Sequence, residues 1–357
     1  MDYVQAVMAM DFTTVGFLAQ DGLTLGAIYG MLALGMVLVY SVTRVIFVPL
    51  GEFVTFGGLT LAALQSGTAP KLVYLSVALG LAAFVFEVVD IRQAKSRWSA
   101  SALLVTGSRY LMLPLVALVL SFAADWSNMP AALQIVMTLA VILPLGGSLY
   151  RLVFQPLRDA STLVLLIAAV GLHLALLGLA LIIFGPEGAR AGEFSAERLS
   201  VGGIIVPWQA VCIGIALAVL CASLYLYFEH SISGKALRAT SFNRLGARLV
   251  GIDTARAGRL ALTLGVAIGG LCGILIAPIA TLYYDSGFVI GLKGFIGAIL
   301  AGMASFPLAL MGAIGVGLVE AYASFVASAF KESIVFALVI PILLARSIAS
   351  RSIKGDH

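Results

Sequence analysis

The chain has 357 residues, of which 61% are hydrophobic and only 11% are charged. A soluble globular domain carries roughly 25% charged residues, so this composition excludes an ordinary water-soluble surface. The net charge of +4 comes from Lys and Arg in short segments between apolar runs. That distribution is typical of membrane orientation and not of a nucleic-acid-binding face.

Apolar stretches that suit membrane spans recur along the whole chain. Because a helical span needs about 20 mostly apolar residues, the sequence predicts an all-α polytopic bundle of about 9–11 spans. We treat residues 1–357 as a single membrane domain. The predicted spans are Gly22–Thr43, Phe53–Leu64, Leu72–Phe86, Tyr110–Ala124, Trp126–Tyr150, Ala160–Pro186, Ile205–Phe228, Leu260–Tyr284, Val289–Ser305, Pro307–Phe330 and Ser333–Ile348.

The positions of Lys and Arg predict the orientation of these spans, since short basic loops stay in the cytoplasm. Basic clusters lie within residues 92–109, 151–158, 235–259 and 346–354. An odd number of spans, with the C-terminus in the cytoplasm and the N-terminus outside, places all of them inside. Residues 1–14 contain no Lys or Arg and so lack the basic start of a cleavable signal, which predicts that the first apolar segment is retained.

The longest predicted cytoplasmic loop covers residues 229–259 and reads EHSISGKALRATSFNRLGARLVGIDTARAGR. Ser233 is predicted to cap a short helix at its start. Gly251 is predicted to end that helix in left-handed geometry, and Asp253 to cap the next span.

Three leucines of the 229–259 segment, Leu237, Leu245 and Leu249, recur at helical spacing and predict one apolar side. A short amphipathic helix between two spans suits contact with a soluble partner that pushes on the membrane subunit. It also suits an interfacial helix that lies on anionic lipid. The residues themselves leave both alternatives open.

Three long motifs lie at separate places along the chain: GLTLGAIYGMLALGMVLVYSVTRVIF from Gly22, ISGKALRATSFNRLGARLVGID from Ile232, and GLKGFIGAILAGMASFPLALMGAIGVGLVEAY from Gly291. They resemble one known family, the membrane subunits of branched-chain amino acid ABC importers. They keep the family's order and cover most of the chain. In that family the loop that contains the second motif docks on the ATPase. The residues assigned to this docking role here are Arg238, Ala239, Leu245, Gly246, Leu249, Gly251 and Ile252.

The resemblance implies a permease that moves branched-chain or related small amino acids across the bacterial inner membrane by alternating access. It implies four kinds of partner: two cytoplasmic ABC ATPases, a second similar permease subunit, a periplasmic solute-binding protein and the lipid bilayer. No nucleic acid is expected.

The sequence departs from the family in two places. Where the family usually shows Asn-Phe-Ala-His-Gly, this chain has Phe47–Gly51, and only the Gly51-Glu52 end is kept. That departure leaves the solute open between aliphatic amino acids and other small polar molecules. The stretch from Leu72 to Arg109 is also longer than the family pattern, which leaves the span count open.

Ionisable residues at membrane depth are functional candidates, because a charge there costs at least ~2.5 kcal/mol unless it is paired or hydrated. Lys293 and Glu320 are predicted to form a buried pair, and with Gly51 and Glu52 they are candidates to line a translocation path. The alternative for the pair is a structural role that holds two helices in register. His173, alone in a long apolar stretch, is predicted to be a hydrogen-bonded packing residue.

Several absences limit the function. The chain contains no G-x-x-x-x-G-K-[ST] sequence, no H-E-x-x-H and no G-x-S-x-G. We therefore expect no catalytic residues, no bound cofactor and no metal, with ATP used by partner subunits. Two other classes stay open: an ion-coupled secondary transporter that uses the buried charges, and a membrane scaffold without transport.

Overall fold

A computed structural model describes residues 12–93, 100–195, 197–201, 204–338, 340–341 and 344. Nine helices in this part of the chain are long and apolar enough to cross a membrane, which confirms the all-α polytopic prediction. One antiparallel hairpin pairs β1 (Arg198–Val201) with β2 (Ile204–Pro207). The helices are α1 (Phe12–Thr43), α2 (Glu52–Gln65), α3 (Leu72–Gln93), α4 (Ala100–Gly107), α5 (Leu113–Ala123), α6 (Ala131–Leu149), α7 (Thr162–Phe184), α8 (Trp208–His230), α9 (Ile232–Phe242), α10 (Arg244–Leu249), α11 (Thr254–Ile276), α12 (Ser286–Leu300), α13 (Phe306–Val326) and α14 (Lys331–Ala337).

Short irregular helical turns extend several of these helices. A 3-10 turn over Val48–Gly51 precedes α2, and π-helical turns over Ser108–Met112 and Tyr150–Phe154 precede α5 and follow α6. Two more 3-10 turns cover Trp126–Asn128 and Ser328–Phe330. Such π-turns mark places where the regular hydrogen-bond ladder of a span is interrupted.

Two predicted spans differ from the structure. The one over Val289–Ser305 is α12, a helix of 15 residues, which is shorter than a span requires. It ends because the chain turns directly afterwards, where Gly302 and Met303 have φ of 64° and 55°. The span over Ser333–Ile348 begins as α14, and most of the rest lies outside the described residues. The basic cluster at 346–354 and the basic residues between 94 and 99 lie outside them as well.

Contacts among the described helices group into two units. Unit 1 falls within Met1–Val37, Ser195–Leu220 and Leu292–His357, and unit 2 within Leu38–Phe194 and Cys221–Gly291. A single domain over residues 1–357 stays a prediction.

Unit 1 brings α1 against α13 through glycine. A Cβ added at Gly22 would lie 2.8 Å from the Cα of Leu318, and one at Gly26 would lie 2.8 Å from the Cα of Ile314. These contacts repeat every four residues, as one face of a helix requires. In lipid, small residues allow backbones to approach this closely, which gains dispersion contacts. The pair Gly22 and Gly26 is therefore a helix contact.

Unit 2 packs α2 against α11 in the same way. A Cβ at Gly57 would collide with the carbonyl oxygen of Gly270, and one at Gly273 would collide with that of Val54. Large aromatic side chains fill the space beside this contact, since the rings of Phe47 and Phe53 stack at 6.1 Å. The backbones of α2 and α11 are thus in direct contact, and the aromatic side chains of Phe47 and Phe53 pack on one side.

The end of α11 follows from Pro278, which lies two residues beyond the last helical residue, Ile276. A proline cannot continue the helix and leaves carbonyl groups without helical donors. Just beyond the helix, Arg190 donates to the carbonyl oxygen of Pro278 itself, with its Nε at 2.9 Å and one terminal nitrogen at 2.7 Å. The Arg190 side chain thus contacts the backbone where α11 has ended.

Candidate functional site

The 229–259 segment folds as α9, α10 and the first turns of α11. The helix cap is Ser231 and not the predicted Ser233: the Ser231 Oγ accepts a hydrogen bond of 2.8 Å from the N–H of Gly234. Ser231 has an extended backbone, as an N-cap requires, whereas Ser233 already lies inside α9. Asp253 caps α11 as predicted, with Oδ1 accepting from the N–H groups of Ala255 and Arg256 at 3.0 and 3.1 Å.

The prediction of one apolar side along this segment is wrong. Leu237 is fully buried, whereas Leu245 and Leu249 are 68% and 81% exposed. Asn243 is the cause, because its extended backbone ends α9 and its Oδ1 accepts from the N–H of Gly246 at 2.9 Å, which starts α10 as a separate helix. The helical register is lost at that junction.

Leu237 anchors α9 to the spans of unit 2. It belongs to one cluster with Val42 of α1 and with Ala257 and Ala261 of α11. Large apolar side chains elsewhere in the segment have no such cover. Those that are exposed are Ile232, Phe242, Leu245, Leu249 and Val250.

The other family-matched residues lie at the ends of the two short helices. Arg238 is exposed and its guanidinium lies 3.5 Å from the carboxylate of Glu229. Ala239 is half-buried within α9. Gly251 has φ of 85° and follows α10, as predicted, and the N–H of the next residue, Ile252, donates to the carbonyl of Ala247 at 2.9 Å.

A second loop braces α10. The guanidinium of Arg248 donates to Asp159 at 3.1 Å, and that of Arg244 donates to the carbonyl of Arg158 at 3.0 Å. Two hydrogen bonds hold the pKa of Asp159 below its usual value; the one from Arg248 has the larger effect and the one from Arg158 the smaller. This brace was not predicted, although the Arg158-Asp159 pair in a predicted cytoplasmic loop was a signal for it.

Unit 1 contains a buried ion network. Lys293 Nζ lies 2.6 Å from Glu320 Oε1, so the structure brings together the two residues predicted to pair. The Tyr29 hydroxyl donates to the other oxygen of Glu320 at 2.7 Å, and the ammonium lies 5.7 Å from the centre of the Tyr29 ring. Both oxygens of Glu320 therefore have a partner.

Glu332, which was not predicted to take part, completes this network from α14. Its Oε1 lies 3.1 Å from Lys293 Nζ. The side chain is 43% exposed, whereas those of Lys293 and Glu320 are 6% and 8% exposed. The network thus has a buried end and an end that reaches the surface. Its sequence position at a predicted span end gave no sign of this contact.

Unit 2 contains a second buried carboxylate. Glu52 is fully buried at the start of α2, and His173 of α7 places Nδ1 3.0 Å from its Oε1. No described residue makes a hydrogen bond to either oxygen at acceptable angles. The imidazole also stacks on Phe288 with ring centres 4.5 Å apart. Next to it, Gly51 lies in backbone contact with Gly287.

Two further acidic residues have partners that their sequence position did not indicate. Glu87 and Asp90 lie near the end of α3, where polar side chains at the end of a span can reach water at the interface. Both form ion pairs with the buried guanidinium of Arg151, the Glu87 side chain being 22% exposed and that of Asp90 62% exposed. A buried Arg beside an apolar span needs such partners, because an unpaired charge is costly there.

Apolar spans, glycine contacts between helices and buried ionisable groups together define a polytopic helical membrane protein of the transport class. The chain belongs to the family described as "Branched-chain amino acid transport system / permease component", which matches residues 18–344. It is thus a transport permease component and a multi-pass membrane protein.

Curated relatives agree with this family. The chain is 27% identical to the high-affinity branched-chain amino acid transport system permease protein LivH of Escherichia coli K12, over 66% of this chain and 79% of the relative. LivH of Salmonella typhimurium is also 27% identical, over the same shares. The permease protein BraD of Pseudomonas aeruginosa is 25% identical over 91% of this chain and 92% of its own length. No solved structure matches the chain.

Proposed function

We propose that this chain is the membrane-spanning subunit of an ATP-driven importer that moves branched-chain or related small amino acids into the cell by alternating access. It would lie in the bacterial inner membrane with its N-terminus outside and its C-terminus in the cytoplasm. Two cytoplasmic ABC ATPases, a second similar permease subunit and a periplasmic solute-binding protein would complete the transporter. The relatives named above are permease proteins of branched-chain amino acid transport systems, which supports the solute class.

The proposed ATPase contact rests on one observation: the 229–259 segment is packed against the spans at one place and exposes apolar side chains at another. Leu237 fixes α9 to α1 and α11, so a force on α9 is transmitted to spans. Meanwhile Leu245 and Leu249 of α10 project without cover. A surface with uncovered apolar side chains next to a rigid anchor suits a protein partner, since burial of apolar area drives association.

The buried groups are the candidates for the translocation path. Lys293 in unit 1 lies in the 15-residue helix α12, and Gly51 and Glu52 in unit 2 lie where a 3-10 turn meets the short helix α2. Glu320 pairs with Lys293 from the long helix α13. Interrupted helices in transporters place backbone and charged groups beside a polar cavity. We assign these four residues to the path on that basis.

Copurification from native membranes tests the proposal. The tagged full chain is solubilised, and proteins that copurify with it are identified by mass spectrometry. Wild type should recover P-loop ATPases, and Leu245→Glu with Leu249→Glu should lose them while staying in the membrane, because both side chains are exposed. Met129→Glu is the matched apolar-to-acidic control and should keep the ATPases. Met129 lies in the loop between α5 and α6, which falls between the basic segments 92–109 and 151–158 and is therefore predicted to lie on the opposite, outer side of the membrane.

Substitution of Gly246 is a less clean test. A Cβ at this position would lie 3.2 Å from the Cγ of Asn243, the residue that caps α10. Loss of binding in Gly246→Glu could therefore reflect a displaced helix. The leucine variants avoid this problem.

An ion-coupled secondary transporter is the second candidate, and the buried Glu52 beside His173 favours it. It predicts uptake that collapses when the ion gradient is removed although ATP remains. Recovery of the wild-type chain without ATPases, under conditions that preserve a known ABC complex, would contradict the importer proposal and favour this candidate.

A further inference from the structure

The two carboxylates on Lys293 differ in how fully they are engaged. Glu320 is buried, and its two oxygens bind Lys293 and Tyr29 at 2.6 and 2.7 Å. Glu332 uses only Oε1, at 3.1 Å from Lys293. Its Oε2 is buried and has no hydrogen-bond partner among the described residues. Glu320 is therefore a fixed support, whereas Glu332 has unused capacity to accept hydrogen bonds.

We propose that Lys293 and Glu332 form a binding site for the charged head group of the transported amino acid, with the solute carboxylate on Lys293 and the solute ammonium on Glu332. This inference rests on the proposed function and adds to it the residues that contact the solute. Glu320 and Tyr29 act as positioning residues that hold the Lys293 ammonium.

The chemistry of the solute matches this pair. An amino acid at neutral pH carries one ammonium and one carboxylate on the same carbon. Lys293 and Glu332 offer the complementary charges, an ammonium for the solute carboxylate and a carboxylate for the solute ammonium. Without solute, the two side chains neutralise each other. When the solute enters, one ion pair between side chains is replaced by two pairs with the solute, and the net charge of the buried site does not change. A site that keeps its charge avoids the desolvation cost that an extra buried ion would add.

The difference in exposure determines which of the two carboxylates, Glu320 or Glu332, can leave Lys293 when the solute binds. Removing Glu320 from Lys293 would leave a buried carboxylate without its cation, which is strongly unfavourable. Glu332 can move without that cost, because 43% of its side chain is already exposed and it lies on the short helix α14. The exchange is therefore confined to the end of the network that reaches the surface.

Binding to the purified full chain in lipid nanodiscs tests this site. Three probes share one hydrocarbon skeleton: leucine, 4-methylpentanoate, which lacks the amino group, and 3-methylbutylamine, which lacks the carboxylate. The midpoint of thermal unfolding is followed against probe concentration, since binding to the folded state raises it. Wild type should bind leucine at least about tenfold more tightly than either analogue, as expected for loss of one charge-assisted contact.

The variant Glu332→Gln distinguishes a specific loss of ammonium binding from a general loss of folding or binding. It should lower the affinity for leucine to about that for 4-methylpentanoate, because the ammonium has lost its charged acceptor. Glu332→Asp keeps the charge and should keep the preference for leucine in part, and Glu187→Gln, a change at an exposed glutamate elsewhere, should match wild type.

Two results would overturn the site: a Glu332→Gln chain that retains the wild-type preference, or a wild-type chain that does not prefer leucine to its analogues. Either result together with recovered ATPases rejects this site and leaves the importer proposal standing. Absence of the ATPases in the copurification rejects the importer itself.

Discussion

The hydroxyl of Tyr29 donates a hydrogen bond of 2.7 Å to Oε2 of Glu320, although 291 positions separate the two residues in the sequence. Tyr29 lies in α1 and Glu320 in α13, the two helices whose glycines bring their backbones together. The close approach at Gly22 and Gly26 thus allows a tyrosine one helix away to reach a buried carboxylate. Packing and the polar network depend on the same helix contact.

Tyr29→Phe should destabilise the protein without changing its shape. The change leaves Oε2 of Glu320 buried without a donor, and a hydrogen bond to a charged group contributes roughly 1.5–3 kcal/mol. The free energy of unfolding in mixed micelles titrated with SDS measures the loss. Tyr322→Phe is the control, because the Tyr322 hydroxyl makes an exposed bond of 3.3 Å to a backbone carbonyl and its removal should cost much less. Equal effects of the two changes would show that the Tyr29 bond adds nothing.

A double substitution separates a structural role of the Lys293–Glu320 pair from a role in transport. Lys293→Met should cost roughly 3–5 kcal/mol, because it leaves the buried carboxylate of Glu320 without its cation. Glu320→Met should cost less, because Lys293 keeps its contact with Glu332. The double variant should recover much of that stability. If the pair serves the path, as we propose, the double variant folds but does not transport leucine. Normal uptake by a stable double variant would assign the pair to packing alone.

The Lys293–Glu320 pair was predictable from sequence, whereas its full network was not. Each of the two residues interrupts a long apolar run, and a lone charge there requires an opposite charge nearby. Tyr29 gave no such signal, because an aromatic residue in a glycine-rich span is fully explained by packing. Glu332 gave no signal either. Glu87 gave a misleading one, because a carboxylate at a span end has the same sequence pattern whether it reaches water or reaches inward to a cation.

The 229–259 segment shows a similar limit. Its helical content, the cap by Asp253 and the left-handed Gly251 followed from residue types at their positions. The break at Asn243 was not predicted, because the leucine spacing continues through it as if one helix were present. Asn is a preferred N-cap residue and therefore indicated a helix start, but the prediction followed the leucine spacing.

Leu237→Ala should destabilise the anchor of α9. Removal of a fully buried leucine side chain costs roughly 2–5 kcal/mol, depending on how far the cavity collapses. Leu245→Ala is the matched control and should leave the stability nearly unchanged, since that side chain is exposed. The two free energies of unfolding check this difference. A small cost at Leu237 would mean that α9 is held by other contacts, and the proposed transmission of force through this residue would fail.

Glu52→Gln tests the buried carboxylate of unit 2. Glutamine has almost the same shape and needs no counter-charge beside His173, so the fold should be retained and its stability unchanged or raised. Glu52→Ala should cost more, because it leaves a cavity beside the imidazole. Leucine uptake by the Glu52→Gln chain then shows whether the charge itself is used. Uptake at the wild-type rate would remove Glu52 from the candidate path residues.

Gly57→Ala tests whether backbone contact between α2 and α11 holds unit 2 together. The added Cβ would collide with the carbonyl oxygen of Gly270, and a backbone atom cannot rotate away as a side chain can. The helices must separate, so the free energy of unfolding should fall by about 1–3 kcal/mol, the usual cost of overpacking. Gly171→Ala in α7 is the control, because nothing lies within 4 Å of the position of its Cβ. There alanine should be neutral or stabilising, since glycine is the poorer helix former by about 1 kcal/mol. If both alanine variants were equally stable, the close glycine contact would not be a source of stability, and the large aromatic side chains beside it would have to hold α2 and α11 together.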